Sequence, residues 1–283
     1  MNLLNNPARA AQIAACAEAQ GANVLTLAQY GTIHPQLDAD WEHIAPIYAR
    51  NALFIGAQIQ VGDPVWFGFV AKYKGATDDA VDHYIVAFRG THQRIEWLED
   101  AAMMLVPHPV SGLVEHGFWG LYTTATCNNL PAAVGVLELL GPPAARPRTV
   151  TCIGHSLGAP LATYLARDLA AACEHMPHNQ TLVQAALFAS PKPGDAHFAL
   201  DFDKLIGHDN YRVWNYLRDV VPRLPPSLPF GLGFQNLANV VVIRPSDSTT
   251  KIADNIVSNH RAESYAALLG APAPSTRPIG AEL

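Results

Sequence analysis

Charge is scarce in this sequence. Only 15% of its 283 residues are Asp, Glu, Lys or Arg, against about a quarter in an ordinary globular chain. The net charge is −6 and Lys and Arg form no run. That argues against a nucleic-acid partner, because neutralising phosphates needs clustered cations. Cysteine is sparse too: Cys16, Cys127, Cys152 and Cys173 form no C-x-x-C pair and share no zinc-type spacing with histidine. The pattern neither demands nor excludes a disulfide, and Cys152, inside an apolar run, is expected as a buried core thiol. No stretch of about 18 uncharged apolar residues occurs, so no transmembrane segment is expected. The first 20 residues lack the basic-then-apolar order of a signal peptide. The expectation is therefore a cytoplasmic protein, one exported by a non-standard route, or one already trimmed. Internal repeats and low-complexity linkers are also missing, and residues 1–283 are expected to form a single domain.

What is present is apolar residue, 49% of the chain, enough for a sizeable core. Segments 7–20 and 38–51 have helical patterns, giving an N-terminal helical part over 1–60. The β-rich runs 65–74 and 83–90 are separated by a polar turn and form an antiparallel pair. One or two helices follow over 113–141, then a buried strand at 148–154, a helix at 157–173 and a strand at 181–190. A short helix comes next, then strands at 211–219 and 240–245, and a last helix starting near His260. Strands alternating with helices predict an α/β fold with a mostly parallel central sheet and helices on both faces. Segment 223–239, rich in Pro and Gly, is expected as a loop beside the strand ends.

Gly154-His155-Ser156-Leu157-Gly158 fits G-x-S-x-G, a pattern credible only between a strand and a helix. Val150, Cys152 and Ile153 precede it; Leu157, Leu161, Leu165 and Leu169 form a helical stripe behind it, with Pro160 tolerated in the first turn. In such an elbow the two glycines remove side chains that would collide, and Ser156 points outward. The amide of Leu157, at the helix N-terminus, can hold an oxyanion. A serine nucleophile needs a base and an orienting acid, in the chain order Ser, Asp or Glu, His. His260 follows the last strand and is the preferred base, with His197 and His208 as rivals and His175 and His178 expected on the surface. Asp219, at the end of the 211–219 strand, is the preferred acid, because sites form at the carboxyl ends of parallel strands, and Asp195 is its main rival. His116 precedes Ser156, so a structural role is expected for it. Asn179-Gln180-Thr181 is a glycosylation sequon by pattern alone.

Six segments, "IVAFRGT" (85–91), "VEHGFWGLY" (114–122), "TCIGHSLGAPLA" (151–162), "LFASPKPGD" (187–195), "RDVVPRLPP" (218–226) and "HRAESY" (260–265), follow in the order found in the class 3, fungal-type triacylglycerol lipases. From about 65 to 270 the chain resembles that family. The resemblance implies an α/β-hydrolase fold and a triad of Ser156, Asp219 and His260. It also implies that Thr91, after Arg89-Gly90, supplies the second oxyanion donor beside Leu157. Two departures stand out: Val220 where the family often has proline after the acid, and Pro191-Lys192-Pro193-Gly194 where it usually has Pro-Arg-Val-Gly. The resemblance also implies a helical lid after Thr91. In 92–107, Ile95, Leu98, Ala102 and Leu105 share one face and Glu96, Glu99 and Asp100 the other, as in an amphipathic surface helix. Trp97, Met103 and Met104 there could pack in the core or bind acyl chains.

The implied activity is hydrolysis of carboxylic esters, acylglycerols first, through an acyl-enzyme. It needs no metal or organic cofactor, and contact with a lipid–water interface is transient. Phospholipase A1 or feruloyl-type esterase activity would use the same triad with a different pocket. A non-catalytic lipid-binding protein would not need the triad, and an acyltransferase would have to protect its acyl-enzyme from water.

Overall fold

The computed structural model describes residues 2–22, 37, 39–55, 58–75, 81–90, 103–142, 146–227 and 233–272. Its strands are β1 (Trp41–Ile55), β2 (Gln58–Tyr73), β3 (Asp82–Phe88), β4 (Leu105–Pro107), β5 (Leu113–Glu115), β6 (Thr126–Cys127), β7 (Leu130–Pro131), β8 (Arg148–His155), β9 (Thr181–Phe188), β10 (Tyr211–Tyr216) and β11 (Val240–Ile243). Its α-helices are α1 (Pro7–Ala22), α2 (His116–Thr123), α3 (Ala132–Leu140), α4 (Gly158–Glu174), α5 (Ala196–Ile206), α6 (Ile256–His260) and α7 (Ala262–Leu268).

Among the described residues, nine strands form one sheet in the order β11-β10-β9-β8-β3-β2-β1-β6-β7. From β3 to β11 every neighbouring pair is parallel; from β3 outward through β2, β1, β6 and β7 every pair is antiparallel. The parallel half is the expected one. β8 sits inside it, between β3 and β9, and all eight of its residues are buried, as covering both faces of a sheet requires. One core, around Phe67, Phe88, Val150, Leu161, Leu165 and Phe198, packs α2 to α5 on one face. The other, around Trp66, Phe69, Ile153, Phe188, Trp214 and Tyr265, packs α1 and α7 on the opposite face.

Two expectations change and a third, for 113–141, is refined. Segment 38–51 is not a helix, since Trp41–Ile55 is a strand. Trp41, Ala45, Ile47 and Ala49 are buried while Glu42 and Arg50 are exposed, which is the period of two that a sheet imposes. Its alanines favour a helix locally, but thirteen residue pairs with β2 outweigh that preference. Pro46, which would interrupt a helix interior, sits in the strand near bulges at His43/Ala45 and Ile47/Tyr48. Segment 113–141 holds two helices separated by the β6–β7 hairpin. Asn128 and Asn129 form its two-residue turn with φ +51° and +63°, the left-handed pair that asparagine tolerates. Within 92–107, Leu105–Pro107 is a strand paired with Leu113–Glu115 rather than the end of a helix, and 92–102 lie outside the described residues.

The β8–α4 junction is the tightest point of the fold. A Cβ on Gly154 would lie 2.1 Å from the Gly158 carbonyl oxygen, and one on Gly158 would lie 2.5 Å from the Phe88 carbonyl oxygen. α4, β8 and β3 thus meet through bare backbone. Gly154→Ala is expected to destabilise the protein by at least about 2 kcal/mol in urea denaturation, because the backbone that a Cβ would meet, Gly158 and Ala159 in the first turn of α4, can withdraw only by lifting the helix off β8. A second expectation concerns the β4–β5 turn. His108 is buried against Trp119 and Phe198, and its Nδ1 accepts the N–H groups of Val110 and Ser111 at 3.3 and 3.4 Å. Burial, with the Arg167 charge, lowers its pKa to about 4, from 6.5. The folded state therefore favours the neutral ring. That stabilisation is complete above pH 6.5 and is lost as pH falls from 6.5 toward 4. Across that window wild type should lose stability faster than His108→Phe, by up to about 1.4 kcal/mol per pH unit.

Candidate active site

Four chain segments converge at the carboxyl ends of the parallel strands. The first is the elbow. Ser156 has φ +54°, a left-handed conformation rare for a residue with a side chain, held by its N–H donating to the Phe188 carbonyl at 3.0 Å and its carbonyl accepting from Ala159 at 3.0 Å. That twist turns the side chain out of the strand direction. Leu157 follows as the N-cap of α4, and backbone N–H groups in that first turn have no intrahelical acceptor.

The second and third segments meet at Ser156. His260 Nε2 lies 2.7 Å from Ser156 Oγ, and His260 Nδ1 lies 2.8 Å from Asp219 Oδ2. His260 closes the short helix α6 rather than opening the last helix, and Asn255 caps α6 by accepting from the Ser258 N–H at 2.8 Å. Asp219 lies three residues past the end of β10, in the turn after the strand. Its carboxylate is buried and fully engaged. Oδ1 accepts the Val221 N–H at 3.0 Å, and Oδ2 accepts the Tyr265 hydroxyl at 2.8 Å beside the His260 contact. Tyr265, on α7, in turn accepts the Tyr216 N–H at 2.9 Å, tying the acid's turn to the end of β10. Burial first, and then the Asp219 charge, push the Tyr265 phenol well above its ordinary pKa, so it remains a donor.

Lys192 braces the same turn. Its buried ammonium donates to the carbonyls of Arg223 and Pro225 at 2.9 and 2.8 Å, and its own N–H donates to the Leu224 carbonyl at 2.8 Å. Burial lowers the Lys192 pKa. The sequence alone points to neither set of contacts: the period of α7 marks Tyr265 only as a core residue, and the departure at Lys192 carries no signal of its partners.

The fourth segment is the end of β3. Arg89 Nε donates to the Trp66 carbonyl at 2.9 Å, its guanidinium stacks 4.5 Å from the Phe67 ring, and its N–H donates to the Phe67 carbonyl at 2.9 Å. Gly90 follows, so close to the elbow that a Cβ there would lie 3.3 Å from Ser156 Cβ. Thr91 itself lies outside the described residues.

The rival residues have other work. Asp195 caps α5 by accepting the Phe198 N–H at 2.8 Å, His208 pairs with Asp203 at 2.8 Å, His197 sits in the first turn of α5, His175 caps the end of α4, and His116 opens α2. Among the described residues no group of three or more His, Cys, Asp or Glu is arranged to hold a metal ion, and no helix is long and apolar enough to cross a membrane.

Residues 85–228, just over half the chain, match the family model "Lipase (class 3)". In rice (Oryza sativa subsp. japonica), Phospholipase A1-II 6 is 33% identical over 202 residues, covering 59% of this chain and 47% of the relative. Phospholipase A1-II 7 (Oryza sativa subsp. indica) is 32% identical over 231 residues, covering 71% and 54%. The chain thus spans about half the length of the curated relatives it matches. Among solved structures, the Rhizomucor miehei triacylglyceride lipase superimposes with a TM-score of 0.56 at 20% identity, covering 86% of this chain and 81% of that one. A triacylglycerol lipase whose catalytic centre is described as a serine protease triad gives 0.56 at 22%, covering 85% and 80%. At these identities the likeness establishes the fold, that of the α/β-hydrolases, and together with the matched model it shows that this chain belongs to the class 3 lipase family.

Proposed function

We propose that the protein is a serine carboxylic-ester hydrolase that cleaves acylglycerols. The observation that carries this reading is the hydrogen-bonded relay from Ser156 through His260 to the buried Asp219, at 2.7 and 2.8 Å, on an elbow at the carboxyl edge of a parallel sheet. With Nδ1–H donated to Asp219, His260 presents a free lone pair at Nε2. As Ser156 Oγ attacks the ester carbonyl carbon, Nε2 takes its proton, and the C–O π electrons move to the carbonyl oxygen. The amides of Leu157 and Thr91 receive that oxyanion. Leu157 has the helix N-terminus behind it; Thr91 holds the chain position directly after Gly90, where the family resemblance assigns the second donor. When the intermediate collapses, His260 returns the proton to the departing alcohol. Water, deprotonated by the same nitrogen, then releases the acid. Asp219 keeps the ring in this tautomer and balances the imidazolium charge. Its place in the dry turn between Val221 and Tyr265 holds the carboxylate still.

A second reading, hydrolysis of phospholipid acyl esters, has its own support. The rice relatives that share about a third of their matched residues are named phospholipases A1, and a phospholipase would use the same relay. Transient contact with a lipid surface belongs to either reading.

The test is hydrolysis of 4-nitrophenyl esters from acetyl to palmitoyl, with triacylglycerol and phosphatidylcholine emulsions beside them. Activity on long acyl chains that falls about 10⁴-fold or more in Ser156→Ala is the expected result. Release of fatty acid from the phospholipid alone would favour the second reading. Folded wild type with no activity on any ester would rule out both. Tyr265→Phe tests the support of the acid. It leaves the Tyr216 N–H and one Asp219 lone pair without a partner, so a stability loss of about 1–2 kcal/mol is expected in urea, with a several-fold fall in kcat and little change in KM. A variant as stable and as active as wild type would show that the Val221 amide and His260 suffice to hold Asp219.

A further inference from the structure

One largely buried ionisable pair takes no part in the relay yet touches its components. Glu18, near the end of α1, sends its carboxylate into the back of the site, where Oε1 is hydrogen-bonded to His155 Nδ1. The side chains are 16% and 2% exposed. His155 is the residue before the nucleophile. Its ring lies 4.9 Å from the ring of His260, tilted by 39°, and 5.5 Å from that of Tyr265. A Cβ on Gly90 would lie 2.5 Å from Glu18 Oε1. One carboxylate, 137 residues from His155 in sequence, therefore borders the nucleophile elbow, the ring behind the base, and the turn that enters the oxyanion position.

We propose that Glu18 is a positioning residue for ester hydrolysis, acting through His155 on the imidazole of His260 and through Gly90 on the oxyanion turn. This inference rests on the serine-hydrolase reading. The physical case has two parts. First, His155 Nε2 has no hydrogen-bond partner among the described residues, so Glu18 supplies the contact that holds this ring in place. A ring anchored in this way gives His260 a fixed surface to pack on, and base catalysis depends on sub-ångström placement of Nε2. Second, charge must be matched here. Burial opposes protonation of His155, but the charge and hydrogen bond of Glu18 outweigh it, with Asp219 and Glu263 adding to the effect, and the ring's pKa is raised. A cationic His155 alone would repel the imidazolium that His260 becomes during the reaction. With Glu18 ionised the pair is neutral, and that repulsion is cancelled. The groups facing His155 are Glu18 from α1, Asp219 from the turn after β10, His260 from α6, and Glu263 and Tyr265 from α7.

The test uses the full chain with a 4-nitrophenyl alkylphosphonate. Ser156 Oγ forms a bond to phosphorus, 4-nitrophenolate leaves, and the serine proton passes to His260. The amplitude of nitrophenolate release counts working sites, and its rate reads their geometry. Glu18→Gln is expected to label to full amplitude at a rate roughly tenfold lower. On a 4-nitrophenyl ester, kcat should fall by a similar factor while KM stays within about twofold. Labelling at the wild-type rate, whether the amplitude is full or reduced, would overturn the proposal, because Glu18 would then serve folding alone. If Glu18→Gln does not fold, Glu18→Asp, which keeps the charge on a shorter arm, takes its place. Slower labelling at full amplitude supports the role, and an unchanged rate overturns it. A folded wild type that does not label would overturn the hydrolase reading itself, and this inference with it.

Discussion

Everything at this site depends on how closely α4 approaches β8 and β3. Gly154 and Gly158 have no room for a side chain, because the carbonyl oxygens of Gly158 and Phe88 lie 2.1 and 2.5 Å from where their Cβ atoms would be. That closeness forces Ser156 into a left-handed conformation, and the conformation turns its hydroxyl out of the sheet. It also brings the N-terminal turn of α4, whose N–H groups lack acceptors within the helix, beside the hydroxyl. The placing of Ser156 and of the Leu157 amide, the proposed nucleophile and oxyanion donor, thus follows from one packing constraint. The strain at Ser156, on the order of 1–3 kcal/mol for such a backbone, is held by pairing on both sides, to Phe188 and to Ala159.

His260 and Asp219, the proposed base and acid, arrive by a different route. Each sits on a turn rather than in a regular element, and each turn is held by side chains from elsewhere. Asp219 is fixed by the Val221 amide and Tyr265, and the chain just beyond it by Lys192, whose ammonium gathers the Arg223 and Pro225 carbonyls. His260 ends a helix of only five residues, capped by Asn255, and rests against His155. Regular structure thus places Ser156, and buried hydrogen bonds place Asp219 and His260. The N-terminal helix belongs to that second group, since it packs on α7 and β8 and brings Glu18 to the back of the site.

Legibility in the sequence follows the same division. The elbow could be read because its determinants are local: an apolar strand, two glycines at fixed spacing, and a leucine stripe of helical period within twenty residues. The strands expected at 148–154 and 181–190 are legible as buried runs, and the chain order Ser156, Asp219, His260 by itself narrows the partners. Segment 38–51 has a helical pattern, yet Trp41–Ile55 is a strand. Its period of two was masked by alanine-rich inward positions, and pairing with β2 decided its state. The hairpin at Asn128-Asn129 carried a local signal that the surrounding helical pattern concealed.

By itself, the sequence determined the chemistry on offer and its order along the chain. A strand–Gly-x-Ser-x-Gly–helix elbow needs only short-range sterics, and those are written in consecutive residues. Only the tertiary structure decided the contacts made across long separations: His260 against Ser156, 104 residues apart, Tyr265 on Asp219, 46 apart, and Glu18 on His155, 137 apart. Such contacts arise from the packing of helices on a shared sheet. Side-chain type along the chain permits many partners for a buried Tyr, Glu or His, and the one realised is set by which faces the sheet brings together.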